Sequence, residues 1–259
     1  MQPAAVREEA QLLIERAPPI AHVTLNRGDK FNALSSSLMA DLKSALDELA
    51  TEREIRVVIL GGAGRAFCAG HDLREMGPTV DLDGFRKLFA QCSDLMLTIQ
   101  RLPQPVIAKV HGVATAAGCQ LVAMCDLAVA SSEARFAVSG INLGLFCATP
   151  SVALGRNMLR KQVMEMLLTG DFIDAETARA RGLVNRVVSP QQLGEETERL
   201  AMQIAAKPRD AIAAGKALFY RQLELGIDSA YERAGESMAC NAIAGETRKG
   251  IQAFIAKMR

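Results

Sequence analysis

Two short stretches carry residue types suited to holding charge on a carbonyl oxygen. One is Ala116-Ala117-Gly118-Cys119-Gln120-Leu121, and the other, earlier in the chain, is Phe67-Cys68-Ala69-Gly70-His71-Asp72-Leu73. Each follows an apolar run with the make-up of a buried strand, at 56–60 and 105–110. Small residues stand where the chain must turn, leaving backbone N–H groups bare. Two such turns brought together would aim two donors at one oxygen, which is an oxyanion hole. A helix beginning near Ala117 would add its own first-turn N–H groups and the positive end of its dipole. Small residues at a strand–helix junction also serve simple close packing, so the pattern alone leaves both uses open.

Other phosphate-binding and metal patterns fail. Gly62-Ala63-Gly64 begins like a dinucleotide fingerprint, but Phe67 stands at the third glycine, and the strand–helix–strand unit with an acidic residue at the right distance is missing. No Gly-Lys-Ser or Gly-Lys-Thr follows a glycine-rich loop. The six cysteines (Cys68, Cys92, Cys119, Cys125, Cys147, Cys240) include no C-x-x-C pair and no zinc-type spacing with histidine. No metal or separate cofactor is expected. Reduced thiols suit an intracellular, cytoplasmic protein.

The elements that must position the two turns follow from periodicity. Strands are expected at 20–27, 57–60, 106–110, 127–130 and 135–138, with helices at 35–53, 82–102 and 117–125 between them. Strand–helix–strand alternation with long crossovers indicates α/β organisation and parallel pairing. From Thr149 the pattern turns helical, broken by a strand expected at 183–188. Helices at 191–206, 209–225 and 229–258, the last broken near Gly245, must bury their faces on the core or on another subunit. The boundary falls between an α/β core, 1–195, and a helical region, 196–259.

Composition removes several function classes. The chain has 259 residues, 49% apolar, with a net charge of +1, so a disordered chain or an electrostatic nucleic-acid or membrane surface is not expected. Nine Phe, two Tyr and no Trp leave little for a base-stacking platform. Residues 1–11, with Glu8 and Glu9, lack the apolar stretch of a secretion signal. The most apolar run, 110–130, contains His111, Gln120 and Asp126 and reads as a buried strand–helix–strand rather than a membrane span.

Over nearly its whole length the chain resembles the enoyl-CoA hydratase/isomerase (crotonase) superfamily. The matching pieces run in family order: Leu25-Asn26-Arg27 with Asn32-Ala33-Leu34; Phe67 through Leu73; Lys109-Val110-His111-Gly112 into Ala117-Gly118-Cys119; and Cys125-Asp126-Leu127. Leu168-Thr169-Gly170-Asp171, Ala178-Arg179-Ala180-Arg181-Gly182-Leu183-Val184 and Gly250-Ile251-Gln252-Ala253-Phe254 complete the series. The resemblance implies a spiral of ββα repeats, a C-terminal helical region that makes a homotrimer (alone or paired as a dimer of trimers), and an acyl-CoA substrate. It assigns the oxyanion-hole donors to the backbone N–H groups of His71 and Ala117, each such donor being worth about 3 kcal/mol. The His71 side chain is a separate matter, either a spectator or a group that reaches the pocket.

The sequence departs from this pattern at the acid–base residues. Hydratases of the family use two glutamates to deliver water; their positions hold Gln120 and Gly140 here. Neither residue can ionise, and a placed proton carrier is worth roughly 10² to 10⁴ in rate. Gln120 can still hydrogen-bond water or substrate. Ser139 and Asn142 flank the second position and Cys147 lies just beyond. Gly140 is expected to leave room for a bulkier substrate or a bound anion. Some naphthoate-forming relatives with this glycine recruit bicarbonate, but Val138 stands where those relatives place the glutamine that helps hold it. Cys147 as thioester nucleophile lacks a histidine nearby in sequence. The runs Gly144 to Pro150 and Ala114 to Gln120 resemble, more narrowly, the enoyl-CoA hydratase domain-containing protein 3 group, which also lacks both glutamates.

For the coenzyme, Arg27 or Lys30 would meet phosphates, and Ala69 and His71 would offer backbone to adenine and pantetheine. Phe254 and Lys257 match family residues that reach a neighbouring subunit's site. Asp72 is expected to organise its own turn. Two further readings compete with an acyl-CoA enzyme of this type: a CoA-ester-binding protein without hydratase activity, and a helical assembly module with no ligand. A changed reaction, such as isomerisation or thioester hydrolysis, stays open within the first.

Overall fold

The computed structural model describes residues 10–258. Most of the N-terminal segment read above for a secretion signal therefore lies outside the described residues. In chain order the elements are β1 (Leu12–Ala17), β2 (Ile20–Leu25), α1 (Ser36–Thr51), β3 (Val57–Gly62), β4 (Ala66–Cys68), α2 (Leu82–Arg101), β5 (Val106–Val110), β6 (Val113–Thr115), α3 (Ala117–Met124), β7 (Leu127–Ser131) and β8 (Arg135–Ala137). There follow α4 (Ala148–Asn157), α5 (Arg160–Thr169), β9 (Ile173–Asp174), α6 (Ala175–Ala180), β10 (Arg186–Val188), α7 (Leu193–Ala205), α8 (Arg209–Gln222), α9 (Ile227–Ile243) and α10 (Gly245–Lys257).

The middle of the chain repeats one unit three times: β3-β4-α2, β5-β6-α3, β7-β8-α4. The first strand of each unit joins a six-stranded sheet in the order β1-β2-β3-β5-β7-β10, and the second joins a four-stranded sheet in the order β4-β6-β8-β9. Pairing within the spiral is parallel; the hairpin β1-β2 and the β8-β9 pair are antiparallel. This is the expected α/β spiral. Val58, Leu60, Val106, Ala108, Val110, Ala128 and Ala130 point from the large sheet into the main core, between it and α1, α2 and α3. Near-continuous apolar runs in β3 and β5 fit strands covered on both faces.

Three expectations need correction. The strand expected over 183–188 is only Arg186–Val188, because Leu183 and Val184 close the turn after α6 and pack into the core. The strand β1 was not expected; its exposed face carries Leu13 and Ala17 beside Glu15, so no clear alternation marks it. The strands β4 and β6 lie inside the segments read as turns, each only three residues long.

The other face of the large sheet is covered by α7. Its Leu193, Leu200, Ala201 and Ala205 meet Ile20, Val57, Ile59, Ile107 and Val129. A boundary at 195/196 thus falls inside a core helix, and burial drops only after Ala205. Helix α8 has no buried residue, α9 has only Ala230, and α10 has none. A polar clamp ties α8 to the core. The Lys216 ammonium donates to Asp126 Oδ2 at 2.6 Å and to the carbonyls of Ile99 and Gln104, while the Tyr220 hydroxyl donates to Asp126 Oδ1 at 2.9 Å. Among the described residues no helix is long and apolar enough to cross a membrane.

Candidate active site

The small residues at the two turns are required by close backbone approach. Gly70 has φ +92°, and a Cβ there would lie 2.9 Å from the Ala116 Cβ and 3.1 Å from the Ala117 nitrogen. A Cβ on Gly118 would run into the Cys68 carbonyl oxygen. The two turns are therefore packed directly against each other. Ala116, the residue before α3, sits at φ 50° and ψ −120°, an uncommon conformation for a residue with a side chain.

The backbone amides around this contact can be followed one by one. Leu34 donates to the Gly70 carbonyl at 2.7 Å, and Asp72 donates to the Leu34 carbonyl at 3.0 Å. His71 lies between them in this bridge, and its N–H has no acceptor among the described residues. Ala117 is the first residue of α3, so its N–H also lacks an intrahelical acceptor. Both residues line one cavity of about 270 Å³. Its remaining lining is chiefly apolar: Leu73, Met76, Phe89, Leu143, Leu145 and Phe146.

Of the residues singled out in the sequence, Ala69, His71, Ala117, Ser139, Gly140 and Cys147 line this cavity. The Ser139 and Thr115 hydroxyls are hydrogen-bonded at 2.9 Å. Gln120 is buried on α3 without lining the cavity, and its amide oxygen has no partner among the described residues. Asn142 lies over Gly170 on the outside of the 139–143 turn. Lys30, Phe254 and Lys257 are exposed and are not brought to the cavity within one chain.

Arg27 does a local job. Its guanidinium donates to Asp72 Oδ2 at 3.0 Å and to the Ala33 carbonyl at 2.6 Å, tying the two halves of the first turn together. Asp72 also caps the 3-10 turn Leu73–Met76 through the Arg74 N–H. Burial works against its carboxylate, but the bonds from Arg27 and Arg74 together hold it below the usual range. Asp72 organises its turn, as expected.

Gly140 borders the cavity, but the direction a side chain would take from it is filled. A Cβ there would lie 2.6 Å from the Leu145 carbonyl oxygen and 2.8 Å from Cys147 Sγ. The chain itself fills that direction, so the glycine lets the Cys147 loop fold back over it. Burial raises the Cys147 thiol above its ordinary range, partly offset by a backbone hydrogen bond from Gly140. Behind it, burial pushes Cys119 up to about 12. Neither thiol is poised as a thiolate.

The His71 ring meets the Phe89 ring edge to face, with centroids 5.5 Å apart. Its Nε2 is buried and has no hydrogen-bond partner among the described residues. Burial lowers its pKa below the ordinary histidine value, and the nearby Glu75 only partly offsets this. Glu75 itself is taken up by the Ser36 N–H and hydroxyl at 2.8 and 2.7 Å. The sequence reading missed the apolar lining from Leu73 to Phe89 and from Leu143 to Phe146. Helical spacing at Phe89 carried no sign of which neighbour it would meet. The 144–150 run had been noted as a family marker but supplied only Cys147 as a lining candidate.

Comparison with known proteins places this geometry in a family. Residues 15–259 match the model of the enoyl-CoA hydratase/isomerase family. The rat enoyl-CoA hydratase domain-containing protein 3, mitochondrial, is 42% identical over 259 residues, covering 100% of this chain and 86% of its own. A crystal structure of an enoyl-CoA hydratase from Mycobacterium smegmatis superposes with a TM-score of 0.94 at 56% identity, covering 96% of this chain and 97% of that one. The human enoyl-CoA hydratase domain-containing protein 3 gives 0.93 at 40% identity, covering 96% and 98%. The chain belongs to the enoyl-CoA hydratase/isomerase family, in the domain-containing protein 3 group.

Proposed function

We propose that this member of the enoyl-CoA hydratase/isomerase family is an enzyme that binds an acyl-CoA thioester in the cavity and polarises its carbonyl between the N–H groups of His71 and Ala117. One observation carries the reading: two amides without acceptors, on adjoining turns, belong to the wall of one apolar cavity. A binding protein has no need of two donors converging on a carbonyl. An enzyme does, because charge grows on that oxygen as the α-carbon becomes an enolate. The apolar lining suits the acyl chain, and the coenzyme A part leaves by the mouth. No metal or further cofactor is needed for such chemistry.

Water addition by a pair of glutamates is not the route we assign, because among the described residues no carboxylate lines the cavity, and Gln120 and Gly140 hold the family positions. The reading is a lyase- or isomerase-type reaction of fatty acyl thioesters without that pair. The second reading, a CoA-ester binder that has lost catalysis, is favoured by those two positions alone.

We also assign the exposed apolar residues of α8–α10, among them Phe219, Tyr231 and Phe254, to a homotrimer contact. Phe254 and Lys257 would then complete a neighbour's coenzyme site, with Lys30 as a local phosphate contact. A cytoplasmic setting agrees with six unpaired cysteines; the rat and human relatives matched by sequence carry "mitochondrial" in their names.

The test is steady-state hydration of trans-2-enoyl-CoA of short, medium and long chain, run beside thermal protection by the same esters. The expected result is protection without hydration at the usual enzymatic rate of about 1 s⁻¹ or more. Hydration at that rate would overturn the argument from the missing glutamates. Absence of both protection and turnover would overturn the acyl-CoA reading.

A further inference from the structure

We infer that the imidazole of His71 is the proton carrier of this site, taking a proton from the α-carbon of the bound thioester and returning it. The inference rests on the acyl-CoA reading above and deepens it. Among the residues lining the cavity only His71 and Cys147 carry a group that titrates. The Cys147 thiol is held protonated by burial. His71 is held differently. Its ring is fixed edge to face on Phe89, its Nε2 meets no partner, and no hydrogen bond from the described residues occupies its side chain. Nε2 is closed off from solvent, so the ring nitrogen that would meet a ligand in the cavity is Nδ1.

Position adds to the case. The backbone N–H that holds the thioester oxygen and the ring that moves the proton belong to the same residue. Carbonyl and α-carbon are adjacent atoms, so one residue can serve both. Burial keeps the ring neutral near pH 7, which is the form that accepts a proton. The step balances within the ligand. The α C–H bond breaks, its electron pair enters the enolate held by the two amides, and the proton goes to the unprotonated ring nitrogen. Return of the proton to the α-carbon gives exchange with solvent. Return to the γ-carbon of a 3-enoyl thioester moves the double bond into conjugation. One acid–base group suffices for either, whereas the family's hydration uses two.

The experiment uses the full-length protein with trans-3-hexenoyl-CoA in deuterated water, following conjugation by absorbance and deuterium uptake by mass spectrometry. Binding is read separately, as thermal protection by hexanoyl-CoA. The wild type should convert or label the probe. His71→Gln keeps the backbone donor and should lose about 100-fold or more of that rate while keeping protection. His71→Ala should regain exchange when imidazole is added to the buffer, a rescue that a merely structural role would not give. Conversion by His71→Gln at the wild-type rate would overturn the inference. So would a wild type that is protected by hexanoyl-CoA yet neither converts nor labels the probe, and there the binding reading stands. A wild type that is neither protected nor active would overturn both.

Discussion

The cavity has two walls built on opposite plans. One, from β4 to Asp72 and from β6 into α3, is buried backbone held at contact distance by Gly70 and Gly118. The other, from Ser139 to Cys147, is a largely exposed turn that packs on itself. The first wall carries two backbone amides without acceptors among the described residues, while in the second the chain fills the space a side chain at Gly140 would take. Backbone donors depend on chain path, which many core contacts maintain together. A side chain depends on one residue and on the open space before it.

The sharpest way to break the first wall is Gly118→Ala. Its Cβ would run into the Cys68 carbonyl, and neither backbone can yield without moving a strand or a helix. We expect a cost of about 3 kcal/mol, or about 6 to 12 °C in melting temperature by thermal denaturation. Gly70→Ala adds strain at φ +92° to contact with Ala116. Its expected cost is about 1 to 3 kcal/mol, together with loss of thermal protection by hexanoyl-CoA.

The second wall should respond as a coupled pair. Gly140→Glu alone must push aside the Leu145 carbonyl and the Cys147 thiol, costing about 1 to 3 kcal/mol and creating no hydratase. In a Cys147→Ala background the same change should cost less. A double-mutant cycle by denaturant unfolding should then show a coupling of about 0.5 kcal/mol or more, and additive costs would refute the packing argument.

The smallest effect concerns pH. Burial lowers the pKa of His71 on the first wall and of His111, whose Nε2 bonds the Gly64 carbonyl. Well above about 6.5 both are neutral, folded or unfolded, and they add no pH dependence to stability. As pH falls below that value the unfolded chain takes up protons that the folded chain refuses, so stability drops toward the lowered folded values. The loss of stability between pH 7.5 and 5 should be smaller in His71→Gln, measured by urea unfolding.

Much of this was legible in the sequence because it depends on local pattern. Apolar runs and helical spacing located the strands of the large sheet and the long helices, and small residues located the first wall. The strands β4 and β6 were not legible, since three residues pairing across the spiral leave no periodicity. Nor was the closed space at Gly140, which depends on where Leu145 and Cys147 fold back. Arg27 looked like a phosphate ligand by charge and position, yet its partner Asp72 lies 45 residues away. Long-range pairing of that kind has no local signature.

The clamp on α8 has a consequence for the order of assembly. The Lys216 ammonium finds its acceptors at Ile99, Gln104 and Asp126, which sit at the end of α2, in the turn before β5 and in the turn before β7. None of these groups is in place until that part of the spiral has closed. No apolar residue of α8 is fully buried, so the Lys216 side chain is its main tie to the core. The direction of α8 is therefore set by groups that only the folded spiral brings together.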